Sequence, residues 1–194
     1  MRNYDAVLFA ATKESQRIEG EPITGKSFDN HLRAALACQV AAQERQLLHP
    51  RVLHHILFED LVPHKLAVGL NMDRGDYRPF GAYVDQGGGQ RHSFPAPTAI
   101  PELMEEWWRE LISAHLLGDL NSISVRWDFH AWFEAIHPFF DGNGRTGRLL
   151  WWGMAMLADA PIEVVTCEDR YAYYDRLEEW RRANCNKPLM NPFR

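Results

Sequence analysis

The sequence predicts a mainly α-helical protein, a helical bundle from which one β-hairpin projects. Most of the chain places apolar residues at helical spacing between recognisable helix starts and stops, whereas residues 75–94 combine aromatic residues with three consecutive glycines. Because no repeat, low-complexity tract or long linker interrupts the 194 residues, we expect a single domain over residues 1–194.

Seven segments are predicted to be helices, and caps and prolines suggest where several of them end. The second is expected to begin at Asp29 or Asn30 and to end before Pro50, and the third to stop near Pro63. The fourth opens with Pro101, which suits a first-turn position. The predicted helices are residues 12–20, 28–48, 51–62, 101–118, about 122–137, about 144–158 and about 168–184.

The segment 75–94 is predicted to be a hairpin, in which glycines 87–89 turn the chain into a short return strand. Its strand-forming residues are Tyr77, Phe80, Tyr83 and Val84. Pro79 cannot donate to a sheet ladder, so we expect a peripheral hairpin with an open edge. Such an edge can bind an extended segment of another protein through main-chain hydrogen bonds. A hairpin without a binding role is the alternative.

The bulk properties exclude several classes of protein. The net charge of −5 provides no general attraction to nucleic acid or to an anionic membrane, so neither is expected as a partner. Cys38, Cys167 and Cys185 are odd in number and lack a CxxC spacing, which favours reduced thiols over a disulfide framework. The N-terminal segment is too charged for a signal peptide, and no stretch approaches the ~18 apolar residues of a membrane span. We therefore expect a cytoplasmic protein.

Residues 137–148 read HPFFDGNGRTGR and carry the strongest chemical pattern in the chain. Gly142 and Gly144 bracket an asparagine where a loop becomes a helix, which leaves backbone N–H groups approachable. With the positive end of the helix dipole these groups form an anion-binding site. Arg145 and Arg148 are three residues apart on one helical face, so both can reach the same polyphosphate.

Two further side chains flank this anion site. Asp141 lies at its mouth, where a carboxylate beside phosphates suits Mg²⁺. His137 ends the preceding helix and can act as a base near neutral pH. The alternative is a plain turn between core helices, with surface arginines paired to Asp141. The combination of base, carboxylate, glycines and two spaced arginines favours a phosphate-handling active site.

The same segment matches, at every specified position, the motif HxFx(D/E)GNGRxxR of the Fic (filamentation induced by cyclic AMP) family. The flanking segments also resemble the family: LHHILFEDL and GDYR its helix and flap entry, FHAWFEAIHPF its motif helix, and RYAYYDRLEEW its later Tyr-Tyr-x-x-Leu segment. The resemblance implies a Fic-type helical bundle whose hairpin is the flap. It also implies a protein adenylyltransferase, which transfers AMP from Mg-ATP to a Ser, Thr or Tyr hydroxyl of a target protein.

The resemblance further assigns roles to single residues. It implies that His137 takes the proton from the attacking hydroxyl, that Asp141 holds Mg²⁺, and that Phe139 anchors the loop in the core. Arg145 would contact the β-phosphate and Arg148 the γ-phosphate. The implied nucleotide-binding residues are Gly142, Asn143, Gly144, Arg145, Arg148, Tyr173 and Tyr174, and the implied target-docking residues are Tyr83 and Val84.

The segment 15–20, SQRIEG, is predicted to be the end of a short helix that starts near Thr12 and stops at Gly20. Glu19 then lies in the last turn, the wrong end of a helix for an anion, which points to a partner elsewhere. The segment resembles the family's inhibitory motif (S/T)xxxE(G/N), with Ser15 and Glu19 at the specified positions. By that resemblance Glu19 pairs with Arg148 and restrains the enzyme; a solvated Glu at a helix end is the alternative.

Several other patterns remain open at this level. His130, Glu134 and His137 share a helical face and form a candidate metal trio, although core packing is favoured because HExxH is absent. His54 and His55 are interpreted as packing residues. The apolar stripe of Trp151, Trp152, Met154 and Met156 is interpreted as core.

The alternatives for function are a non-catalytic binding module and an enzyme that removes AMP from a modified protein. The sequence leaves the target and the formation of a homo-oligomer undetermined.

Overall fold

The computed structural model describes residues 3–61, 73–85 and 91–184. Within these ranges seven α-helices form a bundle, and one antiparallel hairpin lies beside it, so the mainly α prediction is confirmed. The helices are α1 (Asp5–Ile18), α2 (Lys26–Gln43), α3 (Pro50–Leu57), α4 (Ile100–Leu117), α5 (Ile123–Ile136), α6 (Asn143–Leu157) and α7 (Arg170–Asn184). The glycine turn 87–89 and Cys185 lie outside the described residues.

Helix α6 runs through the centre of the bundle and packs against α1, α2, α3 and α5. Every residue from Arg145 to Leu157 is buried, as expected for a helix that carries apolar residues on all sides. The predicted core stripe is confirmed, since Trp151, Trp152, Met154 and Met156 are all buried. The first turn of α6 carries the residues of the candidate site, so the site is held by the best-packed helix of the protein.

Helix α1 begins at Asp5, and the prediction of a helix that starts near Thr12 was therefore too short. The preceding turns carry Leu8 and Ala11, which continue the buried face formed by Ser15 and Ile18. Thr12 is itself buried in mid-helix. The acidic Asp5 in the first turn also favours an earlier start, because it faces the positive end of the helix dipole.

Helix α2 begins at Lys26, so the predicted caps at Asp29 and Asn30 are wrong. Gly25 precedes the helix with φ of 77°, and the Asn30 amide instead donates to the Glu59 carbonyl at 2.7 Å. The predicted end near residue 48 is also wrong, because the helix stops at Gln43.

Helix α3 begins at Pro50 and ends at Leu57, earlier than the predicted residue 62. His49 caps it by accepting a hydrogen bond from the Arg51 N–H at 3.2 Å.

The hairpin consists of β1 (Tyr83–Asp85) and β2 (Arg91–Ser93), with Tyr83 opposite Ser93. Tyr77 and Phe80 lie outside the strands, contrary to their prediction as strand residues. The N–H of Arg78, between them, donates to the Pro138 carbonyl at 2.9 Å and so ties this segment to the loop before α6. Among the described residues, no helix is long and apolar enough to cross a membrane.

Candidate active site

His137 occupies a strained position directly after α5. It caps the helix in the left-handed conformation, with φ of 51° and ψ of 59°, a conformation that is uncommon for residues other than glycine. The Arg78 guanidinium donates to the His137 carbonyl at 2.8 Å, and the imidazole stacks on Phe94 with ring centroids 4.1 Å apart. Such strain persists only where neighbours hold it in place, and it is common at active sites.

The loop from His137 to α6 is closed by a reciprocal pair of hydrogen bonds. The Phe139 N–H donates to the Asn143 side-chain oxygen at 2.8 Å, and the Asn143 amide donates back to the Phe139 carbonyl at 2.7 Å. Phe139 is fully buried and stacks on His54 at 4.1 Å, so it anchors the loop in the core. Because the buried Asn143 side chain closes the loop in this way, we expect its backbone N–H to be the group that meets an anion.

The predicted anion site lies at the first turn of α6. Gly142 has φ of 73°, and a Cβ there would come within 2.5 Å of the Phe58 ring, so only glycine fits. Its N–H donates to Asp141 Oδ1 at 2.7 Å. The N–H groups of Asn143, Gly144 and Arg145 belong to the first helical turn, where backbone donors have no intrahelical acceptor. They are oriented to bind an anion at the positive end of the helix dipole.

His54 holds the backbone at the start of this turn by a hydrogen bond to Asp141. Its Nδ1 accepts a hydrogen bond from the Gly75 N–H at 2.9 Å, so the ring proton lies on Nε2, which donates to the Asp141 carbonyl at 3.1 Å. Burial lowers the pKa of His54 to about 4, so the neutral ring is present at physiological pH. His54 is therefore a packing residue, as expected from the sequence, and it also fixes the backbone beside Asp141, whereas the same interpretation of His55 is wrong because His55 is exposed.

Arg145 is 3% exposed and lies between two carboxylates. Its Nη2 is 3.7 Å from Asp141 Oδ1 and 3.8 Å from Glu21 Oε1, and the guanidinium lies over the Phe58 ring at 5.1 Å. Both ion-pair distances are longer than a hydrogen bond. A phosphate oxygen could therefore approach this guanidinium more closely than either carboxylate does.

Arg148 is 1% exposed and is held by α1. It donates to Ser15 Oγ at 2.7 Å, to the Ser15 carbonyl at 3.2 Å and to Glu19 Oε1 at 2.6 Å. Burial lowers the pKa of Arg148, but Glu19, Tyr173 and Glu134 together outweigh burial and raise the net pKa of the guanidinium. The predicted partners Ser15, Glu19 and Arg148 are thus in direct contact.

The Glu19 carboxylate also lies over the first turn of α6, because a Cβ at Gly144 would collide with it. The anion that is misplaced at the end of its own helix therefore lies at the positive end of another helix. This contact explains why position 144 must be glycine while Glu19 is in place. It also means that the carboxylate occupies part of the anion site.

The candidate metal trio does not assemble. His130 Nδ1 lies 3.0 Å from the Gly147 carbonyl and its Nε2 2.8 Å from the Tyr173 hydroxyl, which identifies Nδ1 as the protonated nitrogen and Tyr173 as the donor to Nε2. Burial lowers the pKa of His130 to about 3. No group of three or more His, Cys, Asp or Glu side chains suited to a metal occurs in the part of the chain that the structure describes.

Glu134, on α5, lies close to Arg148. The sequence predicted no contact between these two residues. A Cβ at Gly147 would collide with its carboxyl group, so the two helices approach closely here. Burial raises the pKa of Glu134 to about 8, while Arg148 opposes that rise. The group is therefore mostly protonated at neutral pH.

The remaining predicted residues lie around this centre. Tyr173 is buried, whereas the neighbouring Tyr174 is 41% exposed, with ring centroids 5.5 Å apart. Tyr83 and Val84 are exposed on β1, away from the bundle core. The nucleotide-binding role of the two tyrosines and the target-docking role of the two strand residues remain predictions.

Two site residues were missed by sequence reasoning. Arg78 is buried and donates to the carbonyls of His137, Phe80 and Pro95, which joins the hairpin to the loop of the site. Glu21 reaches Arg145 from the turn after α1. A signal existed for Glu21, a second carboxylate two residues after Glu19, but nothing local in the sequence distinguished Arg78 from a surface arginine.

Curated relatives of the chain carry the name "Protein adenylyltransferase Fic". The Drosophila erecta protein is 29% identical over 170 residues, which cover 80% of this chain and 30% of the relative. The Drosophila melanogaster protein is 30% identical over 170 residues, with 80% and 31% covered. The chain thus spans about a third of the length of these relatives.

Solved structures share the fold. A Fic domain containing signaling protein from Bacteroides thetaiotaomicron superposes with a TM-score of 0.74 at 20% identity, over 93% of this chain and 74% of the other. A Fic family protein from Desulfovibrio desulfuricans gives a TM-score of 0.57 at 24% identity, over 92% and 55%. The model of the Fic/DOC family matches residues 46–154, more than half of the chain and the part that carries the anion site. The chain belongs to the Fic/DOC family.

Proposed function

We propose that this chain is a protein adenylyltransferase, which transfers AMP from ATP to a Ser, Thr or Tyr hydroxyl of a target protein. The proposal treats residues 1–194 as one domain in which α1 restrains the site and the hairpin binds the target. The name of the curated relatives supports this activity. The observation that carries it is a combination of three features: a helix start suited to bind an anion, two buried arginines along the same helix, and a histidine in the loop that precedes this helix.

The order of these groups along the chain supports an order for the phosphates. His137 is at the loop, the N–H groups of Asn143 and Gly144 follow, and Arg145 and Arg148 lie successively further along α6. With a rise of about 1.5 Å per residue, Arg148 is about 4.5 Å beyond Arg145. An ATP molecule whose α-phosphate lies at the loop would thus meet Arg145 with its β-phosphate and Arg148 with its γ-phosphate.

In the proposed reaction the hydroxyl oxygen forms a bond to the α-phosphorus, and the bond from that phosphorus to the bridging oxygen of the β-phosphate breaks. His137 takes the hydroxyl proton, and pyrophosphate leaves. The arginines and the helix dipole stabilise the negative charge that develops on the leaving group. Arg78, Phe94 and the strained backbone hold the imidazole at the mouth of the site.

The residues present fit a Mg²⁺ ion. In nucleotide sites this ion is held by one or two carboxylates together with phosphate oxygens and water, not by a cage of protein ligands. Asp141 provides such a carboxylate, 29% exposed and fixed at the mouth of the site by the Gly142 N–H. When bound, the ion would neutralise charge on the phosphates beside Asp141.

The restraint by α1 is the second part of the proposal. Glu19 binds Arg148 at 2.6 Å and covers Gly144, where the phosphates would need both the guanidinium and the helix start. ATP bound through Arg145 alone would be displaced, and a misplacement of ~1 Å costs about a hundredfold in rate. Tyr173 and Tyr174 are proposed to contact the nucleotide, and Tyr83 and Val84 to pair with the target.

The test is incubation with ATP labelled at the α-phosphate and a cell lysate, followed by gel detection of labelled protein. Wild-type protein should label weakly and Glu19→Gly strongly. The gain should disappear in Glu19→Gly with His137→Ala, which removes the base and costs roughly 10²–10⁴-fold. It should also disappear in Glu19→Gly with Arg148→Ala. Label transfer that survives loss of His137 would show that another group accepts the proton.

A further inference from the structure

The turn that ends α1 presents two carboxylates to the site. Glu19 Oε1 lies 2.6 Å from Arg148 Nη2, and Glu21 Oε1 lies 3.8 Å from Arg145 Nη2. Both arginines are almost completely buried, at 1% and 3% exposure, whereas the two glutamates are 30% and 36% exposed. Each buried cation thus faces one partly exposed anion from the same short segment.

The backbone of this turn is fixed on both sides. Gly20 adopts φ of 70°, its N–H bonds to the Arg17 carbonyl, and the Glu21 N–H bonds to the Gln16 carbonyl at 2.9 Å. This pattern is a Schellman turn, which holds the residues before and after the glycine in set directions. A Cβ at Gly20 would meet nothing within 4 Å, so the backbone conformation and not space requires glycine there.

The buried Gln16 secures the segment that follows. Its amide donates to the Pro22 carbonyl at 3.0 Å and to Ser27 Oγ at 3.1 Å, so the chain leaves the turn along a defined path. The backbone at Glu21 is therefore held between two fixed points, so it need not be ordered before the carboxylate pairs with Arg145.

We infer that Glu21 is a second restraining residue, whose carboxylate competes with phosphate for Arg145 through a 3.8 Å ion pair, a weaker contact than the 2.6 Å hydrogen bond between Glu19 and Arg148. The turn then presents one carboxylate to each arginine, at the positions proposed for two successive phosphates of the nucleotide. This inference rests on the proposed function, because it requires that Arg145 and Arg148 bind neighbouring phosphates of one nucleotide. It deepens that proposal by making the restraint act at two positions of the polyphosphate.

The two contacts have different consequences for different nucleotides. ATP carries both the phosphate that competes with Glu21 and the terminal phosphate that competes with Glu19. ADP carries only the first of these. Removing Glu21 should therefore strengthen the binding of ADP and ATP by a similar factor, whereas removing Glu19 should strengthen ATP binding more than ADP binding, because only ATP also gains Arg148.

The test measures the Kd values of ADP and ATP by isothermal titration calorimetry with Mg²⁺ present, without any activity assay. For Glu21→Gln we expect about two- to fivefold tighter binding of both nucleotides, the range of a partly exposed ion pair. Glu21→Asp keeps the charge but withdraws it by about 1.5 Å, one carbon–carbon bond, and should resemble Glu21→Gln. Glu44→Gln, at the exposed end of α2, is the control for net charge.

A double variant tests whether the contact with Arg145 is responsible. In an Arg145→Met background, Glu21→Gln should no longer change either Kd, because the cation for which Glu21 competes is gone. If Glu21→Gln and Glu21→Asp both bind ADP and ATP as wild type does, while Glu19→Gln tightens ATP, the role of Glu21 is overturned and the restraint by Glu19 stands. If no protein binds either nucleotide, the proposed function fails and the role of Glu21 fails with it.

Discussion

Replacing Glu19 with Gln should make the protein less stable while it makes the site more available. The Arg148 guanidinium is 1% exposed and makes hydrogen bonds to Ser15 Oγ, the Ser15 carbonyl and the Glu19 carboxylate. Its Nη1 finds no hydrogen-bond partner among the described residues. Glutamine keeps an acceptor oxygen at position 19 but removes the negative charge, so the buried cation would have neutral acceptors only.

The expected cost is about 1.5–3 kcal/mol, the range for a hydrogen bond to a charged group. For a chain of this length a loss of 1 kcal/mol lowers Tm by about 2–4 °C, so Glu19→Gln should melt roughly 3–12 °C below wild type. Saturating ATP should recover part of the loss, since a ligand at 100 times its Kd adds about 2.7 kcal/mol to stability. The Tm shift produced by ATP should thus be larger in the variant than in wild type.

Differential scanning calorimetry with and without Mg-ATP measures both effects. Asp60→Asn is a matched control, because the Lys26–Asp60 pair is similarly short, at 2.7 Å, but lies in solvent. The Tm of Asp60→Asn should equal that of the wild-type protein. Equal melting of Glu19→Gln and Asp60→Asn would refute the reasoning, because Arg148 would then not depend on Glu19 in solution.

Three further predictions concern the metal, the hairpin and pH. Asp141→Ala should abolish the Mg²⁺ dependence of ATP affinity in a titration, and an unchanged metal response would place the ion elsewhere. Tyr83→Pro should impair protein labelling more than nucleotide binding, since Tyr83 lies on the exposed strand; equal loss of ATP binding would make the segment part of the core. The pKa values of His130 and His54, about 3 and about 4, are depressed by burial. Between pH 6.5 and about pH 4 only the unfolded chain therefore binds these protons, and in that range the free energy of unfolding should fall by up to about 1.4 kcal/mol per pH unit for each histidine. In urea titrations at pH 7.5 and 5.0, His130→Gln should lose less stability on acidification than wild type.

The sequence predicted the elements whose signals are local and missed those set by tertiary packing. Helices α4 to α7 begin and end within two residues of their predicted limits, because apolar periodicity and nearby glycines or prolines mark them. The predicted start of α2 was wrong because Asn30 does not cap the helix. Its amide instead donates to a carbonyl of the segment after α3, a partner 29 residues away. No property of residues 26–30 alone indicates that bond.

The residues of the candidate site also fall into those that local sequence signals predict and those that only tertiary packing brings in. His137, Asp141, the glycines and both arginines lie within twelve consecutive residues, so the anion site could be predicted from the sequence. Glycine conformation, the helix dipole and the spacing of side chains on one helix all act over a few residues. These features belong to the segment itself and do not depend on the rest of the fold.

Only the tertiary structure decided what surrounds that segment. Glu19 and Arg148 are 129 residues apart, and Arg145 meets Glu21 only because α1 packs against α6. The carbonyl of Asp141 is held by His54, 87 residues away, and His130 is held by Tyr173 across the α5–α7 contact. Such contacts arise when distant helices bury their apolar faces together, and the resulting alignment of polar side chains is a property of the packed bundle. The sequence alone therefore predicted a phosphate site in this segment, and the packing of α1, α3 and α7 on α5 and α6 determined which side chains surround it.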